Sequence, residues 1–424
     1  MTHDTPASFT MQGHGTPAQH ALLAQRDAEV RAVALAVTQR ILQQSLEHEV
    51  LEQLGVRRGK RSTVTVAWVC RHCQTRQQCR FRRNGHYRRS LTVREGTITL
   101  AIPLVKCVCG GYADITWQTV DRRVRYWLDI QLDTLRRYLA GVSHRLVADA
   151  TGAGARVNIS YVYSWRTLQA VGEQATGQPL VLGPCPRSVI LDEVYIHVGG
   201  REMVFLLAVA DDGRVLALEG PTTRTVANWQ RVLERLTEHG ISPLAGLVGV
   251  VADGDRAIGN AVALVWPRVV MQECVWHILE RVASAVAAEH GRSDPKVHEI
   301  VMEAGRVFLH DAPGAAALEE ARRQHNAFLA KHQGTAWAEI VRRSYHAGTQ
   351  YLRTPGLART NGGAERTVRE FRRRSKTMDG FKSEDGGRNF AVIWRVWQNL
   401  RRERAQERAR QTRHRRHPAN LKVC

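Results

Sequence analysis

Three acidic residues stand in chain order in settings that could bring their carboxylates together: Asp192 in SVILDEVYI, Asp253 in LVGVVADGD and Glu365 in RTNGGAERTVRE. The first two lie at the ends of apolar, β-branched runs and the third in a helix-like run, so a folded core could make them converge. Carboxylates gathered in this way can hold two metal ions. One lowers the pKa of an attacking water or hydroxyl and the other stabilises the leaving oxygen of a phosphodiester, which makes phosphoryl transfer the chemistry the pattern supports. A single acid would carry little weight, since Asp and Glu are ordinarily solvated surface groups.

Each acid has a neighbour that could replace it. Glu193 follows Asp192, but alternation along a strand sends the two to opposite faces, and Asp192 is the expected ligand. Asp255 lies two residues past Asp253, whose place at the strand end favours it. Glu370 shares the helical run with Glu365, yet five residues turn it well around the helix.

A second set of chemistry-bearing residues lies upstream. Cys70-Arg-His-Cys73 and Cys107-Val-Cys109-Gly-Gly are two close pairs separated by strand-like runs, the arrangement of a zinc ribbon. The expected ligands of one structural zinc ion are Cys70, Cys73, Cys107 and Cys109. Cys79, His72 or His86 could replace one of them, because the second pair is spaced by one residue. Four protein ligands would leave no open position for a substrate.

These residues sit in a strongly basic chain. Its 424 residues carry 61 Lys and Arg against 40 Asp and Glu, a net charge of +21, which calls for a polyanionic partner, nucleic acid first. No apolar run approaches the roughly 20 residues of a spanning helix and no signal peptide is evident, so a soluble, intracellular protein without a membrane partner is expected. Eight cysteines are too few for a disulfide scaffold at this length.

The elements that must position the acids read as several domains. Residues 1–20 are polar and aperiodic and are expected to be disordered. Residues 21–55 form a long amphipathic helix that packs on its own domain or pairs in a coiled coil. The zinc-ribbon-like module spans 64–115. Residues 128–172 read as a helix-turn-helix, with a Gly-Val-Ser turn and a last helix capped by Ser160, so that Ser160 to Arg166 would face DNA. A linker follows over 177–187. Arg366, Arg369, Arg372, Arg373 and Lys376 come so soon after Glu365 that they could hold DNA phosphates beside the metals. Residues 401–424 form a basic tail that adds salt-sensitive phosphate affinity.

From residue 188 the order is three meandering strands, helix, strand, helix, strand, the order of a ribonuclease H-like fold, with Asp192 on the first strand and Asp253 just past the fourth. Over residues 188 to about 400 the sequence resembles the DDE-class transposases of insertion sequences, in their Mutator-like branch. VILDEVYI and VVADGDRAI resemble its two aspartate strands. QECVWHILERV resembles its Cys-x-x-His signature, as Cys274 and His277, and TNGGAERTVREFRRRSKTMDGF its glutamate helix, with Thr360, Asn361 and Glu365 aligned. The helical stretch of about 278–351 would be the family's insertion. The expected fold class is therefore a multidomain α+β chain: an N-terminal helix, a zinc-ribbon-like module and a helix-turn-helix, then an α/β ribonuclease H-like catalytic domain (188–400) with an all-helical insertion.

The resemblance implies a bacterial, cytoplasmic, nucleoid-associated enzyme. Asp192, Asp253 and Glu365 would bind two Mg²⁺ (or Mn²⁺) ions for cleavage at terminal inverted repeats and strand transfer into target DNA, with no covalent protein–DNA bond. Pairing two ends implies a homodimer or higher oligomer on DNA, and Cys274 and His277 would shape the cleft. A DNA-binding regulator derived from an inactive transposase, or a ribonuclease H-like nuclease without strand transfer, would share parts of this pattern.

Overall fold

A computed structural model describes residues 16–54, 70, 72–73, 81–113, 115, 117–120, 125–176, 183–377 and 380–416. Residues 1–15, Cys79, the start of the expected linker and the last residues of the expected basic tail lie outside these. The protein is mixed α+β with two sheets, and the chain divides into two compact units, residues 1–138 with 144–164 and residues 139–143 with 165–424.

The first unit opens with α1 (Pro17–Leu54). It starts inside the stretch expected to be disordered because Thr16 and Gln19 form a capping box: the Gln19 N–H donates to Thr16 Oγ1 (3.3 Å) and the Thr16 N–H to Gln19 Oε1 (2.8 Å), with Pro17 at the first helical position. Only the C-terminal half of α1 is packed. Leu42, Leu46, Val50 and Leu54 recur every four residues, and all four are buried against the hairpin of β1 (Phe81–Val93) and β2 (Gly96–Cys107). Leu22, Leu23, Val30 and Val33 remain exposed. Glu49 is buried within this unit, its carboxylate accepting from the backbone N–H groups of Gln118 (2.6 Å) and Thr119 (3.0 Å). Three helices follow, α2 (Leu128–Leu139), α3 (His144–Ala155) and α4 (Tyr161–Thr176), the last running on into the second unit. Gly141, at φ +118°, makes the turn between α2 and α3, and His144 Nδ1 meets Ser164 Oγ at 2.9 Å, tying α3 to α4.

The second unit is built on a five-stranded sheet. Its strands are β3 (Ser188–Val198), β4 (Arg201–Ala210), β5 (Val215–Thr222), β6 (Gly249–Ala252) and β7 (Val270–Glu273), in the spatial order β5-β4-β3-β6-β7. The first three form an antiparallel meander; β6 runs parallel to β3, and β7 parallel to β6. Helices α5 (Val226–Glu238) and α6 (Arg256–Val265) cover one face, where Trp229, Leu233, Ile258 and Val262 pack on Val189 and Leu191. Next come α7 (Val275–His290), α8 (Pro295–Phe308), α9 (Ala315–Lys331) and α10 (Ala336–Gly348), which share a core around Val282, Phe308, Phe328 and Trp337, and then the short α11 (Gln350–Arg353). The other face of the sheet receives α12 (Gly362–Thr377) and α13 (Glu384–Arg416), with Phe205 of β4 against Phe371 and Phe381. The basic segment from Arg401 is no separate tail: as far as Arg416 it continues α13, whose Glu403 and Glu407 sit at helical spacing among the arginines. Among the described residues no helix is long and apolar enough to cross a membrane.

Candidate active site

Asp192 lies in the middle of β3, the central strand. Odd-numbered β3 residues enter the core under α5 and α6, so the pleat turns Asp192 to the α12 face. There Asn361, just before α12, donates its amide to Asp192 Oδ2 at 3.2 Å. Burial pushes the Asp192 carboxyl up to about 6; the Glu193 N–H and His277 oppose this shift, while the charges of Asp253 and Glu365 add to it. That mutual influence brings all three expected acids into one electrostatic neighbourhood.

Asp253 follows the last residue of β6. The turn beyond it needs Gly254, at φ +89°, where an added Cβ would come within 2.4 Å of Glu273 Oε1. Asp253 Oδ1 accepts from the Asp255 N–H (2.9 Å), and its carbonyl accepts from Arg281 (3.1 Å), itself paired with Glu273. Glu365 sits in the first turn of α12, a position favourable for a carboxylate at the positive end of the helix dipole.

The neighbouring acids are occupied elsewhere. Asp255 caps α6, accepting from the N–H groups of Ala257 (2.7 Å) and Ile258 (3.2 Å), and pairs with Arg224. Glu193 is buried; its oxygens accept from Tyr195 Oη (2.9 Å) and Trp229 Nε1 (3.2 Å), and it ion-pairs with Arg224 Nε (3.2 Å). Losing these partners would leave a buried charge unpaired, at a cost of several kcal/mol. Glu370 lines other clefts, among Trp394, Gln398 and Arg401.

Cys274 and His277 stand beside the carboxylates. Cys274 is fully buried at the start of α7; its thiol donates to Asn361 Oδ1 (3.2 Å) and its sulfur accepts from the Asn361 N–H (3.4 Å). Thiol, amide and Asp192 thus form one hydrogen-bonded chain. His277 is pushed up to about 9 by the Cys274 side chain and, against its own burial, by the charges of Asp253 and Asp192. A positive charge there offsets part of the carboxylate repulsion. A cleft of about 600 Å³ opens here, lined by Asp192, His277, Glu365, Arg369, Arg372, Arg373 and Lys376. Arg366 is not part of it. Consecutive helical residues point about 100° apart, and Arg366 turns into the cleft of Glu370 and Gln398. Ser160 caps α4 through the Val162 N–H (3.2 Å), and both it and Arg166 are exposed.

In the first unit the Sγ atoms of Cys70, Cys73, Cys107 and Cys109 lie within 4.8 Å of one another, Cys70 to Cys109 at 3.4 Å and Cys73 to Cys107 at 4.0 Å. Thiolates about 2.3 Å from a tetrahedral ion stand about 3.8 Å apart, so the set fits zinc. Gly111 lets the loop close, since a Cβ there would lie 2.7 Å from Cys70 Sγ. The Cys73 N–H, against burial, and the His72 N–H hold the Cys70 thiol down to about 6, which favours the thiolate form that zinc binds.

The three carboxylates carry their own test for cations. Like charges crowd around Asp192, whose carboxyl burial raises to about 6 with Asp253 and Glu365 adding to the shift, and the buried Nδ1 of His277 is without a hydrogen-bond partner. Hard oxygen donors in that state suit Mg²⁺ or Mn²⁺.

The chain belongs to the Mutator family of transposases, whose family model matches residues 15–386. Among its relatives is the transposase for insertion sequence element IS406 of Burkholderia multivorans, 24% identical over 320 residues, which cover 71% of this chain and 77% of the relative. The transposase for insertion sequence element ISRM5 of Rhizobium meliloti is 26% identical over 270 residues, 60% of this chain and 61% of the relative. The transposase for IS256 in transposon Tn4001 of Staphylococcus aureus is 23% identical over 222 residues, 50% and 55%.

Arg224 and Arg281 carry no pattern that would single them out in the sequence. Each acts through partners far away in the chain, on loops and helix faces that periodicity does not place.

Proposed function

We propose that this protein is a DDE-type DNA transposase that cleaves the ends of its element and joins them to target DNA. The observation that carries this reading is that Asp192 and Glu365 line a cleft walled by Arg369, Arg372, Arg373 and Lys376, while Asp253, in the neighbouring cleft that shares His277, is close enough for its charge to act on Asp192. The strand order β5-β4-β3-β6-β7 is that of a ribonuclease H-like domain, with α7 to α11 as its helical insertion. Asp192, Asp253 and Glu365 would hold two Mg²⁺ or Mn²⁺ ions. Such ions, when bound, supply the acidity that activates water or a 3′-hydroxyl and stabilise the leaving oxygen.

The protein's own residues do the rest. Asn361 holds Asp192 Oδ2 toward the cleft, and Cys274 holds Asn361. The basic residues of α12 bind the phosphates on either side of the scissile bond, and His277 places a positive charge next to the two aspartates. In the first unit, Cys70, Cys73, Cys107 and Cys109 would hold one structural zinc in a ribbon-like module. The helices α2, α3 and α4 act as a helix-turn-helix, presenting Ser160 and Arg166 to terminal inverted repeats through phosphate and base-edge contacts. Two ends must be paired, so the active form is at least a dimer on DNA.

The test is strand transfer by the purified protein on labelled DNA carrying the repeats that flank its gene, with Mg²⁺ or EDTA, against Asp253→Asn. Joined products that require both metal and Asp253 support the reading. Sequence-specific binding without cleavage would point to a regulator, and hydrolysis without joining to a nuclease.

A further inference from the structure

The parallel ladder between β3 and β6 is short. It pairs Ser188 with Gly249, Val189 with Val250 and Ile190 with Val251, and ends there. Continued in register it would next pair Leu191 with Ala252 and then Asp192 with Asp253. The two aspartates therefore stand just beyond the last backbone pair, where no strand hydrogen bond sets their separation. Each strand is still paired on its outer side, Asp192 with Leu207 of β4 and Ala252 with Glu273 of β7, but across the gap between β3 and β6 two carboxylates of like charge favour a wider spacing unless a contact bridges them.

The only guanidinium among the described residues that ion-pairs with an acid within two residues of each aspartate is that of Arg224, from the loop between β5 and α5. It pairs with Glu193, next to Asp192 (3.2 Å), and with Asp255, two residues past Asp253. Both anchors are firm. Glu193 is also held by Tyr195 and Trp229, and Tyr195 Oη in turn accepts from Arg224 Nη1 at 3.4 Å. Asp255 is fixed as the cap of α6, and its N–H binds Asp253 Oδ1. On its other side the same turn is held by Arg281, which donates to the Asp253 carbonyl.

We infer that Arg224 is a positioning residue that takes over from the ended ladder, joining Glu193 to Asp255 so that Asp192 and Asp253 stay at the separation their cations require. This rests on the carboxylates being the metal ligands. Arg224 acts through its two acidic partners, and it need not touch metal or DNA.

The experiment measures Mn²⁺ binding by electron paramagnetic resonance, together with kcat and KM of strand transfer on repeat-bearing DNA, for full-length Arg224→Ala, Arg224→Lys and Asp255→Asn. Asn retains the helix cap, so Asp255→Asn removes the ion pair with little harm to the fold. Arg224→Ala and Asp255→Asn are each expected to weaken Mn²⁺ binding and lower kcat about 10- to 100-fold, the range for partners that orient ligands, with KM for DNA nearly unchanged. Arg224→Lys should recover part of the loss, and the double variant should be no worse than Arg224→Ala.

A loss seen in Arg224→Ala as raised KM and a salt slope shallower by about one, with Asp255→Asn unaffected, would make Arg224 a phosphate contact and overturn the inference. Unchanged Mn²⁺ binding and kcat in both variants would overturn it too. Asp192→Asn and Asp253→Asn separate the two levels: if they abolish Mn²⁺ binding while the Arg224 variants do not, only the positioning role fails. If they leave Mn²⁺ binding intact, the carboxylate site itself is wrong.

Discussion

The two clusters of potential metal ligands solve opposite problems. The four cysteines come from two short stretches of one unit, and their sulfurs surround a single point within 4.8 Å. All four positions of a tetrahedral ion are taken, so such a site can only hold the chain together. The carboxylates come from β3, the end of β6 and the start of α12, separated by long stretches of chain; Asp192 and Glu365 open on a cleft of about 600 Å³ and Asp253 on the cleft beside it, His277 lining both. Their positions depend on residues that are not ligands: Asn361 on Asp192, Arg281 on the Asp253 carbonyl, and Cys274 on Asn361. A closed site is specified by its ligands, whereas an open one is specified by its supports.

That contrast is sharpest in what single changes should do. Asp253→Asn or Glu365→Gln should lower strand transfer by about 10³-fold or more, since several kcal/mol of transition-state stabilisation goes with the cations. Circular dichroism and DNA binding should stay as in the parent, because neither side chain is buried in a core. Cys107→Ser should do the reverse. Zinc content, about one ion per chain in the parent, should fall, and the first unit should melt about 10 °C lower or more, because binding energy at a structural zinc is folding energy. Mn²⁺ binding at the carboxylates should persist. A Cys107→Ser protein that melts like the parent would remove the distinction between the two sites.

How much of this was legible follows the same division. Period-two alternation was enough to lay out the meander and to prefer Asp192 over Glu193, whose side chain indeed enters the opposite face toward Trp229. The acids stand out in the sequence because Asp192 and Asp253 follow apolar, β-branched stretches and Glu365 opens a helix-like run. Their supports could not, because Arg224 and Asn361 sit in connections and find partners at long sequence separation. Two boundaries differ from expectation for reasons local to the sequence. Thr16-Pro17-Ala18-Gln19 is a helix start written in four residues, and the glutamates among the arginines after residue 400 continue α13. Arg366 stands apart from the cleft residues because the helix turns it about 100° from Glu365.

Intermediate effects test the supports. Asn361→Ala leaves every carboxylate in place but frees Asp192 Oδ2, and should cost about 10- to 100-fold in metal affinity or rate, as expected for a residue that orients a ligand. Protons offer a second handle. The Asp192 carboxyl is raised to about 6 from 3.8, so between these values the folded metal-free protein binds more protons than the unfolded chain, and its stability falls as pH rises through that window. The same proton competes with a cation. Mn²⁺ affinity should therefore rise about ten-fold per pH unit below 6 and level off above 7, in binding titrations at constant ionic strength. A flat profile from pH 5 to 7 would mean that Asp192 does not have to lose a proton for the cation to bind.

The smallest expected effect concerns the wall of the open site, which has no counterpart around the cysteines. Arg369 and Arg366 share α12 and are three residues apart, both exposed, but Arg369 faces the carboxylate cleft and Arg366 the cleft of Glu370 and Gln398. If the cleft holds the scissile strand, Arg369→Ala should remove one released counterion, making the salt dependence of end binding shallower by about one while leaving metal binding intact. Arg366→Ala should change the rate of strand transfer less than two-fold, within the scatter for a surface charge away from the substrate. Equal effects from the two would mean that DNA lies across the helix without entering the cleft, and the carboxylates would then need another route to a phosphodiester.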